Sequence, residues 1–273
     1  MTIQVTPYKT TLDAGNAYWM ARLSNIIYSK RSDNDEHPDE DAILQNLQAE
    51  DAGFRTVTGA NKNSAQAALI EHENYLCMAF RGTNELADWL DNINAFSEEV
   101  LFGEFHRGFW ESVEDVWDVI HNEYLRLHKE KKRPLFFTGH SLGGAMATVA
   151  ASRFLHKDLP FTSVYTYGQP RVLTRETARI YNAEAGERHH RFQNNEDIVT
   201  RVPARLMGYS HVGTCLYIDS DKQIHDDPGF WFRFLDVFDG ALDTLIDQGH
   251  VGAISDHDIN KYQDAVSDWQ FNI

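Results

Sequence analysis

The stretch Leu135-Phe136-Phe137-Thr138-Gly139-His140-Ser141-Leu142-Gly143-Gly144-Ala145 decides how this chain is read. Leu135 to Thr138 is an apolar run of the length a buried strand needs. Gly143 to Leu155 is rich in Ala and free of Pro, which predicts a helix. Between them, Gly139-His140-Ser141-Leu142-Gly143 fits a sharp strand-to-helix turn, where small neighbours let the backbone bend and present a serine hydroxyl. Three fixed positions are a weak pattern alone, so the strand before and the helix after carry the inference. The helix start also aims backbone N–H groups and a positive dipole end at the serine.

The same alternation continues on both sides of the turn. Tyr18, Leu23, Ile26 and Ile27 give Leu12 to Tyr28 an amphipathic helical pattern, and a charged loop is expected from Arg31 to Glu40. Ala67 to Ile70 and Tyr75 to Phe80 read as a hairpin of buried strands split by Glu71 to Asn74. Trp110 to Leu127 carries apolar residues near the 3.6-residue period and ends in the basic Lys129 to Arg133. Further strands are expected at Ser163 to Tyr167, Arg191 to Gln193 and Thr214 to Ile218. Strands alternating with helices predict an α/β sheet, mostly parallel. No repeat, low-complexity tract or Gly/Ser linker divides the chain, so residues 1–273 read as one domain.

Composition excludes several function classes. A formal charge of −16, from 25 Lys plus Arg against 41 Asp plus Glu, repels nucleic-acid phosphates and anionic lipid surfaces. Cys77 and Cys215 read as buried thiols and not as a disulfide framework. No run of about 18 apolar residues could span a membrane, and Met1 to Thr10 lacks the apolar core of a signal peptide. The chain is therefore expected to be soluble, either cytoplasmic or exported without a recognisable signal. The oligomeric state is not legible. Asp219 with Asp221, and Asp226 with Asp227, raise calcium, but without the glycine-containing loop spacing they read as a solvated acidic loop. No metal or organic cofactor is implied.

An activated serine needs a base, an acid to orient the base, and donors for the developing oxyanion. The Leu142 N–H supplies one donor, and Phe80-Arg81-Gly82-Thr83, just past an earlier strand, is placed to supply the other. Asp197 follows a short strand, with Glu196 as the competing carboxylate. His211, His225, His250 and His257 all come later, and chain order does not choose among them.

Together these segments resemble the class 3 lipases, the α/β-hydrolase family that includes fungal triacylglycerol lipases and plant phospholipase A1 enzymes. The resemblance runs from about Ala67 to Tyr262. It rests on Phe80-Arg81-Gly82-Thr83, His106-Arg107-Gly108-Phe109, Thr138 to Ala145, Tyr167 to Val172, Asn194 to Pro203 and Asp256-His257. It implies an α/β-hydrolase fold, a central mostly parallel sheet flanked by helices. It also implies Ser141 as nucleophile, Asp197 as acid, His257 as base, and Thr83 with Leu142 as the oxyanion pair. His211 then takes a structural role, and His250 stays a minor rival to His257.

The resemblance further implies a short helical lid at residues 84–96, and the sequence permits one. Leu86, Trp89, Leu90 and Ile93 fall at i, i+3, i+4 and i+7, with Asp88, Asp91 and Asn92 between. The aromatic stretch Phe230, Trp231, Phe232, Phe234, Leu235, Val237 and Phe238 reads as a core helix, with an acyl-pocket wall as the other reading. The expected activity is hydrolysis of acylglycerols or similar lipid esters, at an oil–water interface where the substrate forms one. The alternatives are a phospholipase A1 or soluble-ester esterase on the same scaffold, and a lipase-like partner-binding protein without catalysis.

Overall fold

The computed structural model describes residues 3–32, 34–83, 86–226 and 254–269. Helix α1 (Ala14–Ile26) opens on Asp13, whose carboxylate accepts the Asn16 N–H. A hairpin follows, β1 (Lys30–Ser32) and β2 (Asp35–Pro38), and then α2 (Glu40–Glu50), capped by Asp39. Strands β3 (Phe54–Lys62), β4 (Ala65–His72) and β5 (Leu76–Phe80) form an antiparallel meander. The short helix α3 (Leu86–Asn92), β6 (Ser97–Val100) and β7 (Gly103–His106) lead into α4 (Arg107–Glu130). Next come β8 (Leu135–His140), α5 (Leu142–His156), β9 (Ser163–Tyr167), β10 (Leu173–Thr174), α6 (Arg175–Ala185) and β11 (His189–Asn194). The last elements are β12 (Tyr209–Ser210), β13 (Thr214–Ile218), β14 (Ile224–His225) and α7 (Ile259–Ser267).

Eight of these strands form one sheet in the order β14-β13-β11-β9-β8-β5-β4-β3. β5, β8, β9, β11 and β13 run parallel, with antiparallel partners at both edges. The central strands are buried on both faces, which is why they read as continuous apolar runs. Successive side chains alternate between two cores. Phe137, Met78 and Val164 pack with α4 and α5, while Phe136, Cys77 and Tyr165 pack with α1, α2 and α7. Truncating Phe137, wholly buried among Phe154 and Phe161, would cost about 3–5 kcal/mol. A second, four-stranded sheet, β12-β10-β7-β6, holds the chain between α3 and α4.

Among the described residues the expected hairpin, strands and helices are present; α4, α5, β4, β8 and β11 run beyond the sequence pattern, whereas α1 is shorter than it. Residues 31–40 differ: the charged stretch holds a strand pair in place of a loop. Lys30 to Glu36 at 2.7 Å and Arg31 to Glu40 at 3.0 Å tie it together through ion pairs, which leave no alternating apolar signal. Cys77 is buried as expected, whereas Cys215 on β13 is only half-buried. Among the described residues, no helix is long and apolar enough to cross a membrane. The aromatic stretch 230–238, His250 and Asp227 lie outside the described residues.

Candidate active site

The loops after β5, β8, β9 and β11 leave the carboxyl edge of the sheet, where parallel α/β sheets bind ligands. Ser141 stands directly after β8 with φ 60° and ψ −131°, a left-handed conformation that a non-glycine residue rarely adopts. Its N–H donates to the Tyr167 carbonyl at 2.9 Å, holding the turn against β9. The flanking glycines are steric necessities. A Cβ on Gly139 would lie 2.2 Å from the Gly143 backbone, and one on Gly143 would lie 2.1 Å from the Phe80 carbonyl oxygen.

Asp197 is fully buried, and its carboxylate is surrounded by donors. Oδ1 accepts the Val199 N–H at 2.9 Å. Oδ2 accepts Nδ1–H of His257 at 2.8 Å and the Tyr262 hydroxyl at 2.5 Å. With its Nδ1 proton committed to Asp197, neutral His257 carries its lone pair on Nε2. That nitrogen and Ser141 Oγ are both buried with no protein partner, the two atoms a base and a nucleophile must keep for the substrate.

Burial and bonding separate the remaining candidates. His211 is half-buried and its Nε2 donates to the Thr200 carbonyl at 2.7 Å; desolvation and nearby arginines hold it well below its ordinary pKa. His225 is exposed and paired with Asp219. Glu196 is exposed. Leu142 opens α5 beside Ser141. Gly82 lies against the nucleophile, since a Cβ there would meet Ser141 Cβ at 2.9 Å and Tyr28 Oη at 2.4 Å, and Thr83 follows it.

Three supporting residues escape sequence reasoning. His140 donates Nε2–H to the His257 carbonyl at 2.7 Å, and its ring lies 4.4 Å from the His257 ring. Its Nδ1 must then accept, and the Tyr28 hydroxyl donates to it at 2.8 Å. Burial and the adjacent His257 push the His140 pKa well down, so the ring stays neutral. Tyr262 is the third; its oxygen also accepts the Asn194 N–H, which locks β11 to α7 beneath the acid. His140 sits inside the quoted turn, whereas nothing local marks either tyrosine.

The apolar face of α3 lies over this edge. Leu86, Trp89 and Leu90 pack on Ile198 and Val199, the residues after Asp197. Trp89 also stacks on Phe109, and Ile93, just past the helix, packs on the α4 side of the core. Among the described residues no three His, Cys, Asp or Glu side chains converge as metal ligands. Asp219 instead accepts the Asp221 and Gln223 N–H groups of its own turn.

The family model "Lipase (class 3)" matches residues 77–207, the span from β5 to the loop after Asp197. Secreted mono- and diacylglycerol lipase 1 of Fusarium solani is 31% identical over 184 residues, 65% of this chain and 53% of that one. Residues 77–207 are a class 3 lipase segment. Phospholipase A1-II 1 of Oryza sativa subsp. indica is 28% identical over 223 residues, 69% of this chain and 56% of the rice protein. The chain thus spans about half the length of the curated relatives it matches. Among solved structures, a mutant form of MDLA from Penicillium cyclopium superposes with a TM-score of 0.68 at 22% identity, covering 91% of this chain and 96% of that one. Rhizomucor miehei triacylglyceride lipase gives 0.62 at 20% identity, covering 76% and 80%. These likenesses carry the fold, an α/β-hydrolase.

Proposed function

We propose that this chain hydrolyses carboxylic esters of lipids, acylglycerols foremost, through an acyl-enzyme on Ser141. The observation that carries the reading is the pairing of a strained, buried serine with a buried His257–Asp197 couple whose outward nitrogen is uncommitted. Relatives described as mono- and diacylglycerol lipase, phospholipase A1 and triacylglycerol lipase support the substrate class.

In this reading Ser141 Oγ attacks the ester carbonyl carbon while His257 Nε2 takes its proton. Asp197 holds the imidazole in the required tautomer and stabilises the imidazolium that forms. The N–H groups of Leu142 and Thr83 receive the oxyanion. Collapse of the tetrahedral intermediate breaks the ester C–O bond, and Nε2–H protonates the departing alcohol. Water then attacks the acyl-enzyme with His257 again as base, releasing the acid and free Ser141.

Export is a described property of the Fusarium solani and Penicillium cyclopium relatives, and we extend it to this chain as a proposal that fractionation of an expressing culture checks. The activity is tested by a p-nitrophenyl ester series of increasing acyl length, followed by triglyceride and phospholipid, with Ser141→Ala throughout. Turnover that vanishes in Ser141→Ala is expected. Equal turnover in the two proteins would reject Ser141 chemistry.

A further inference from the structure

The two flanks of the oxyanion loop differ in chemistry. On the lid side Leu86, Trp89 and Leu90 meet Ile198 and Val199, an apolar wall suited to an acyl chain. The other flank opens into a cavity of about 570 Å³ whose inner end is Arg81, Gly82 and Thr83 and whose outer walls are the β1–β2 hairpin and the β3–β4 turn. Not one lining side chain is apolar. The volume falls within the range of small-molecule sites. Gly82 is a shared wall, one residue thick, between the cavity and Ser141.

The lining polar groups select among polar guests. Arg81 is buried and pairs with Glu36 at 2.6 Å, and Lys30 pairs with the other oxygen of the same carboxylate at 2.7 Å. Lys62 pairs with Asp115 at 3.1 Å. Asp35 adds a further carboxylate to the wall. Each lining cation therefore has an acidic partner, and a phosphate entering here would face two carboxylates. What the cavity presents instead is a dense mixture of donors and acceptors: Asn34, Asn61, Ser64, Gln66 and the carboxylates. The Gln66 carboxamide, almost wholly buried, donates to Asn61 Oδ1 at 3.0 Å and sets that side chain at the mouth. Hydroxyl groups, each a donor and an acceptor at once, complement such a wall.

We propose that this cavity is a headgroup subsite for an uncharged, sugar-sized polyol, so that the preferred esters carry their acyl chain on the lid side and a glycosyl-type head beside Gly82. The proposal rests on the hydrolase reading for its catalytic consequence and on the cavity alone for binding.

Calorimetric titration of the full chain with octyl β-glucoside, octyl phosphate and 1-octanol, each below its micellar or solubility limit, tests it. The glucoside is expected to bind about tenfold tighter than either of the others, the effect of one or two net hydrogen bonds. Asn61→Leu, on an exposed position, should remove that advantage and leave 1-octanol unchanged. Glu36→Gln, which removes the carboxylate paired with the buried Arg81, should raise affinity for octyl phosphate. If 1-octanol binds as well as the glucoside, or octyl phosphate binds best to the unaltered chain, the polyol subsite is overturned. Ser141→Ala separates the two readings, because it should abolish ester turnover while leaving glucoside binding intact. Glucoside binding in a wild-type chain that turns over no ester would sink the hydrolase reading and spare the subsite.

Discussion

Tyr262 Oη donates to Asp197 Oδ2 at 2.5 Å, the same oxygen that His257 Nδ1 reaches at 2.8 Å. The phenol and the imidazole thus share one carboxylate oxygen, and Tyr262 fixes where that oxygen sits. Burial and the Asp197 charge hold the Tyr262 pKa far above its ordinary value, so it remains a donor. Tyr262→Phe also strips the buried Asn194 N–H of its acceptor. The expected result is a loss of roughly 1–3 kcal/mol in stability and a fall of about tenfold in kcat on a soluble ester. Denaturant melts and kinetics measure both, and unchanged kcat would confine Tyr262 to holding α7.

Ser141→Ala and His257→Ala should each lower kcat by about 10⁶, the scale of triad knockouts where members act as a unit. Asp197→Asn should cost about 10⁴ by offering the imidazole the wrong tautomer. Circular dichroism should show the fold retained in the serine variant. Near-normal turnover in His257→Ala would move the base to another histidine.

How much of this was legible follows from sequence distance. Strand, turn and helix around Ser141 are neighbours in the chain, so glycines and an apolar run suffice to mark them. The His257–Asp197 pair spans 60 positions, and the Tyr28–His140 bond spans 112. Chain order leaves four histidines open and the resemblance points to His257, while burial together with a carboxylate partner separates it from the described rivals. Tyr28 and Tyr262 gave no signal because a lone tyrosine on a helix pattern reads as core. The β1–β2 hairpin is not legible in the sequence because ion pairs, and not apolar alternation, hold it.

The Tyr28–His140 pair joins two parts of the site. The Tyr28 oxygen faces the Gly82 N–H and donates to His140, which in turn holds the His257 backbone. Tyr28→Phe removes the donor that keeps His140 in its tautomer. A fall of about tenfold in kcat with KM unchanged on a short soluble ester is expected, the size of one net hydrogen bond. A change in KM alone would make Tyr28 a wall of the pocket.

Acid should destabilise the fold before its carboxylates titrate. Burial keeps His140, His189 and His211 neutral with pKa values well below the ordinary one, and pushes His190 down to about 4. The unfolded chain takes up protons at these histidines below about pH 6.5, while the folded chain refuses them. Stability therefore falls as pH falls, by up to about 1.4 kcal/mol per pH unit for each histidine. Thermal melts between pH 7.5 and 5 should show Tm dropping steadily below 6.5. A flat Tm across that window would mean these rings are solvated.

The apolar face of α3 is packed down on Ile198, Val199 and Phe109 in this structure. Those side chains are worth roughly 1.5–3 kcal/mol each when fully buried, and they are only partly buried here. An oil surface offers the same burial with the helix turned outward, so contact with lipid should shift the balance towards an open site. Trp89 carries the largest share because it meets both Phe109 and the residues after Asp197. Trp89→Ser removes the side chain that would engage lipid, yet leaves the Asp197–His257 couple untouched. Activity on emulsified long-chain esters should fall severalfold while turnover of a soluble short-chain ester is preserved or rises, because a loosened cover admits small substrates more easily. Equal losses on both substrates, with no rise in wild-type rate as ester passes its solubility limit, would show that α3 is a fixed wall of the acyl groove.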